Sequence, residues 1–186
     1  MLRRSQLLLC LTPVFLVAGC ALSAPQYSPS LPNVQKLRDA GEYKARVGLF
    51  TADQPAADAP LSLRGAKMHS PYQDSYASYV AEALKQDLSL AGRLAPDAEI
   101  EVSGLLNKNE LDASGFSRGF GGMEARFVLR KGGKIQYESV KSATTEWESS
   151  FAGAIAVPRA QLEYANLVQQ LLAQLYADPA FIAALK

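Results

Sequence analysis

Four stretches of this chain carry apolar residues at every second position, and two carry them at every third and fourth. No other feature constrains the fold as tightly, because a period of two belongs to strands and a period near 3.6 to helices. In Tyr43–Thr51, Tyr43, Ala45, Val47 and Leu49 face one way and Lys44 and Arg46 the other. In Ala98–Leu106, Ile100 and Val102 oppose Glu99 and Glu101. Met123–Arg130 alternates in the same manner, and Lys131-Gly132-Gly133-Lys134 is a hairpin signal. The next strand runs from Ile135 to about Thr145, with Ile135 and Tyr137 as its inward pair. Leu61–Leu63 adds a short edge strand.

The helical period appears first in Ser70–Ala91. Tyr72, Tyr76, Tyr79, Val80, Ala83, Leu84 and Leu88 form its stripe, and Glu82, Lys85, Gln86 and Asp87 take the opposite face. Ser70 as N-cap, Pro71 at the first position and Gln73 as capping-box partner mark its start, and Gly92 its stop. The second runs over Pro158–Ala177 with Tyr164, Leu167, Val168, Leu171 and Leu175 inward. Asp178-Pro179 opens a short terminal helix. Alternating strands imply a sheet with one wet face, hence antiparallel or mixed. The expected fold is α+β: a two-layer sandwich of about four strands with two amphipathic helices on one face.

The chain has 186 residues, 48% of them apolar, which suits one domain with a core of its own. Nineteen basic against eighteen acidic residues, without a basic run, argue against an electrostatic grip on nucleic acid. One His and two Cys leave little for a metal cage or a disulfide framework.

The N-terminus is distinct from the rest. Arg3 and Arg4 precede a nearly all-apolar run, Leu7–Val17. That run is too short to cross a hydrocarbon core of about 30 Å and fits a secretory signal peptide. It ends in Val17-Ala18-Gly19-Cys20, which resembles the lipobox of bacterial lipoproteins. The resemblance implies recognition of Val17, Ala18 and Gly19 by a signal peptidase and diacylglyceryl transfer to the Cys20 thiol. Residues 1–19 are then the signal peptide, 20–42 the lipidated Cys and a flexible tether, and 43–186 the single domain. Ala21 stands where an inner-membrane retention signal would carry Asp, so the resemblance implies the outer membrane, with the domain facing the periplasm. The mature chain keeps seventeen basic and eighteen acidic residues and no free thiol.

The element order behind the lipobox is similar to small YajG-type periplasmic lipoproteins and to auxiliary lipoproteins of lipid-transport systems. Ser149–Ala156 and Asp178–Phe181 look like their closing segment. The resemblance implies a non-enzymatic module of envelope assembly or maintenance, or alternatively a lipid-binding transport auxiliary. Its partners are the membrane, through acyl chains, and an envelope protein or lipid; nucleic acid and cofactors are not expected.

Chemistry-bearing residues are sparse. His69 adjoins Ser70, already assigned as a cap, and Asp74 reads as a first-turn acid. Asp53 and Asp58 lack calcium-loop spacing. Glu99/Glu101 and Glu146/Glu148 each share one strand face, unlike carboxylates flanking a scissile bond. Gly115–Gly122 is Gly-rich but precedes a strand, not a helix, so it is no phosphate loop. Asp112–Gly122 reads as a long flexible connection carrying Phe116, Arg118 and Phe120. Those rings either fold back on the core or contact a partner or lipid surface.

Overall fold

The computed structural model describes residues 22–186. In chain order the elements are β1 (Leu22–Ser23), α1 (Leu31–Asp39), β2 (Ala45–Ala52), α2 (Pro55–Asp58), β3 (Leu61–Leu63), β4 (Ala66–His69) and α3 (Tyr76–Leu90). They continue with β5 (Ile100–Asp112), β6 (Arg118–Lys131), β7 (Lys134–Glu148), α4 (Gly153–Tyr176) and α5 (Pro179–Ala184). A four-stranded sheet runs β2-β5-β6-β7, with β2 parallel to β5 and the remaining pairs antiparallel. Helices α3 and α4 pack on it, which makes the α+β two-layer sandwich that the two periods imply. A smaller sheet, β1-β4-β3, joins the N-terminus to the hairpin ahead of α3. The β6–β7 turn is a two-residue hairpin with Gly132 and Gly133 at φ 56° and 80°.

Between the layers Tyr76, Tyr79 and Tyr164 are fully buried, with ring centroids 5.1–5.2 Å apart in the Tyr76–Tyr164 and Tyr79–Tyr164 pairs. The hydroxyls of Tyr76 and Tyr79 donate to the carbonyls of Met68 and Pro25. The tyrosine face is therefore core, with the Tyr76 phenol tied to the small sheet and the Tyr79 phenol to the N-terminal segment.

The expected tether is corrected. Residues 22–42 belong to the fold: Ala24, Tyr27, Val34 and Leu37 are buried. Ser23 pairs with His69, Asn33 donates to the Gln169 carbonyl, and α1 lies against α3 and α4. The prolines that suggested an extended linker instead steer the chain into α1, where Pro32 occupies the first turn.

Helix α3 starts at Tyr76 rather than in the Ser70 turn. Gln73 and Asp74 adopt φ of 56°, which ends any helix there, and Ser70 Oγ accepts from Tyr72 N in a local turn. Ser75 is the cap, accepting from Ser78 N, and Asp58 reaches across from α2 to accept from Ala77 N. Asp87, expected outside, is buried. Helix α4 begins at Gly153, five residues before the expected Pro158, which lies inside it.

Two inward residues are also corrected. Leu49 and Ile135 are exposed because the ladder slips between Val47 and Phe50 and between Leu129 and Arg130. Each irregularity reverses the faces beyond it. Phe50 takes the core position, and its ring lies where a Cβ on Gly104 would stand.

Candidate interaction surface

The Gly-rich stretch is strand from Arg118 onward, not one long loop. Strand β6 starts at Arg118, which leaves Ala113–Ser117 as the β5–β6 connection. The glycines are explained by what crosses them. A Cβ on Gly119 would overlap the Trp147 indole, and one on Gly121 would meet Leu167 at 3.2 Å and Leu111 at 3.1 Å. Small residues here let α4 approach the sheet and let the Trp147 indole of β7 lie across β6.

The 113–117 connection lies beside the β7–α4 connection, with Ser149 N donating to Ser117 O at 2.8 Å. One side chain fixes both. Arg64, at φ 50° in the β3–β4 turn, donates from Nε to Ala113 O (2.7 Å) and from Nη1 to Phe151 O (2.6 Å). Its Nη2 donates to Gly115 O (2.9 Å) and Ser150 O (2.7 Å). A guanidinium has five N–H donors in a planar fork, so a single residue can gather four carbonyls from two loops. Ser114 N bonds Asp112 Oδ1 at 2.8 Å, and hydrogen bonds from Ser114 hold the Asp112 carboxyl below its ordinary pKa.

On this clamped end Phe116 and Phe151 touch, with ring centroids 5.3 Å apart. They are nevertheless 71% and 77% exposed, and Ile155, on the first turn of α4, is 63% exposed. An open groove of about 860 Å³ lies between Phe116, Arg118, Trp147 and Phe151. Residues 113–117 and 149–158 contain no charged side chain.

Of the three residues expected to make a contact, Phe116 is at this tip. Arg118 and Phe120 sit on the outward face of β6. Arg118 pairs with Glu146, which holds the guanidinium above its ordinary value, and Phe120 is opposite Asp112 and Glu146 and 51% exposed. Neither ring folds back on the core. Cys20 and its Val17, Ala18 and Gly19 flank lie outside the described residues. Phe151, Ile155 and Arg64 were not singled out. The uncharged run from Ser149 to Pro158 was the available signal for the first two; nothing local marks Arg64.

His69 Nδ1 lies 2.7 Å from Asp74 Oδ1, but Ser70 Oγ is engaged with Tyr72, so no Ser–His–acid relay forms. Glu101 pairs with Arg46 at 2.5 Å. No group of three metal-ligating side chains occurs among the described residues, and none of the described helices is long and apolar enough to cross a membrane.

No protein-family model matches this chain, and no curated protein matches its sequence. Among solved structures it is similar to XCC0632 from Xanthomonas campestris, described as a DUF330 protein. That match has 12% identity and a TM-score of 0.55, covering 84% of this chain and 95% of that one. The likeness is one of fold. A minor lipoprotein from Acinetobacter baumannii matches at 12% identity and a TM-score of 0.41, over 74% of this chain and 93% of that one.

Proposed function

We propose that this chain is a lipid-anchored bacterial envelope protein whose folded domain works by contact, not by catalysis. The observation that carries the reading is Val17-Ala18-Gly19-Cys20 at the end of a basic-then-apolar leader. Two or three long acyl chains at Cys20, each buried CH₂ contributing roughly 0.8 kcal/mol, hold a protein on a bilayer almost irreversibly. Ala21 favours the outer membrane, with the domain in the periplasm. The clamped Phe116–Phe151 tip supports a contact role, because apolar rings held in water are costly unless something covers them. A lipid-binding transport auxiliary would need an acyl-sized space between helices and sheet. Tyr76, Tyr79, Tyr164, Leu84 and Leu171 fill that layer.

The mass of the mature protein tests the anchor. Wild type carries added acyl mass on an N-terminal Cys20. Cys20→Ser does not, since a hydroxyl is a far poorer nucleophile than a thiolate. A mature chain without acyl mass at Cys20 sinks the reading.

A further inference from the structure

The acyl anchor and the aromatic tip leave the domain at the same end. Strand β1 runs parallel to β4, with Leu22 opposite Met68 and Ser23 opposite His69. The chain before Leu22 therefore comes from the side where β4 begins, at Ala66. Immediately before Ala66 is the Arg64-Gly65 turn, and Arg64 holds the carbonyls of Gly115 and Phe151, which flank or carry the exposed rings. Two peptide steps separate Cys20 from Leu22, a span of at most about 7 Å. Neighbouring strands lie about 4.8 Å apart, and a strand rises about 3.3 Å per residue. Acyl chains on Cys20 thus enter the bilayer within roughly 20 Å of the tip.

We infer that the tip docks on the bilayer that holds the anchor, with Phe116, Phe151 and Ile155 sinking into the lipid interface. The inference rests on lipidation at Cys20. Three observations select lipid over another occupant. The end of the described chain delivers the anchor to this face. The two connections that form the tip bear no charged side chain, and the charges nearest them, Arg118, Glu146 and Glu148, line the groove on the adjoining strand ends. The Arg64 clamp presents the rings on fixed backbone, so little ordering entropy opposes insertion. Arg118, beside the tip, is paired with Glu146, and Arg159 on α4 with Glu163. The domain is then held at two points, by acyl chains and by aromatic rings, so its orientation on the membrane is set.

The only tryptophan of the chain, Trp147, lines the groove between Phe116 and Phe151 and reports on the contact. The full lipidated chain is reconstituted in phosphatidylcholine vesicles with or without bromine on the acyl chains, a short-range quencher of indole fluorescence. Flotation with the vesicles reads the anchor, and quenching reads the tip. Brominated lipid should quench wild-type Trp147 clearly. Quenching should fall at least threefold in Phe116→Ser/Phe151→Ser and remain in Leu49→Ser, an exposed apolar residue on β2. Both tip rings are exposed, so the double variant should melt within a few degrees of wild type. Floating wild type whose Trp147 is not quenched overturns the docking and leaves the anchor standing. Wild type that does not float overturns both. Equal quenching in wild type and double variant shows that the rings do not make the contact. Fluorescence that changes with protein concentration, and not with bromine, assigns the face to a second copy and also overturns the proposal.

Discussion

Asp87 shows how a single polar identity can mislead a pattern. It lies seven residues after Val80 and four after Ala83, squarely on the inward stripe of α3, yet its charge argues for the outside. The fold resolves the conflict with two phenols: Tyr27 Oη donates to both carboxylate oxygens at 3.1 Å, and Tyr176 Oη donates to Oδ2 at 3.0 Å. Burial still disfavours the anion and raises the Asp87 pKa from 3.8 to about 6, although both hydrogen bonds pull the other way. Between those values the folded state holds a proton that the unfolded state has lost. Stability contributed by this group therefore falls as pH rises from about 4 to about 6, by on the order of 3 kcal/mol, and is flat above. Asp87→Asn should remove that slope, which urea midpoints at a series of pH values will measure; an unchanged slope would place its origin elsewhere. Asp178 works in the opposite sense. Lys141 at 2.6 Å lowers its pKa to about 2, so its contribution is full above about pH 4 and is lost as pH falls towards 2. The two windows do not overlap, so the variants separate them.

At the scale of elements, periodicity was legible and interruptions of it were not. Alternation found β2, β5, β6 and β7, but the ladder slips are faintly marked: the one in β2 falls at Gly48, a glycine that signals a bulge without fixing its register, and the one in β7 at Gln136, an ordinary side chain. Leu49 and Ile135 therefore read as inward. The glycines of Gly115–Gly122 misled for a related reason. Their composition matches a flexible loop, whereas their purpose, room for Trp147 and Leu167, depends on partners far along the chain. Gly119→Ala should cost about 1–3 kcal/mol by pushing Trp147 off the strand, read as a lower melting temperature with altered Trp fluorescence; a silent variant would show that the indole has space to move. Arg64 is illegible for the same reason: four carbonyl partners lie 49 to 87 residues away. Arg64→Ala should destabilise by about 2–4 kcal/mol, because hydrogen bonds to a charged group are worth about 1.5–3 kcal/mol each when buried and less where partly exposed. Amide exchange should accelerate in 113–117 and 149–152 first. Arg64→Lys should rescue little, since an ammonium cannot match the planar fork. Unchanged exchange in both connections would mean that they hold their shape without the clamp.

Across the whole molecule, the layer arrangement followed from the two periods, and the buried mid-stripe leucines follow from the layers. Leu84→Ala and Leu171→Ala should each cost about 2–5 kcal/mol, against under about 0.5 for Glu82→Ala on the outer side of α3; equal costs in urea titrations would contradict the layering. The boundary of the domain was the part least visible in sequence. Three prolines and three serines in Ala21–Pro32 carry the composition of a linker, and the single turns they form have no period to detect. What makes them part of the fold is non-local: Tyr27 reaches Asp87, Tyr79 reaches the Pro25 carbonyl, and Gln169 donates to Ser28 O at 2.8 Å. A chain beginning at Tyr43 would lose Tyr27, Val34 and Leu37, each worth about 1.5–3 kcal/mol of burial, and would strip one phenol from Asp87. The sum, roughly 5–9 kcal/mol, rivals the 5–15 kcal/mol by which a whole domain is stable. That truncation should therefore lose its cooperative melting transition or melt far below a chain beginning at Cys20. A truncated chain that melts cooperatively within a few degrees of the longer one would return residues 22–42 to the status of a tether. It would also loosen the link between the anchor and the aromatic tip, because the path from Leu22 to Arg64 runs through the β1–β4 pairing.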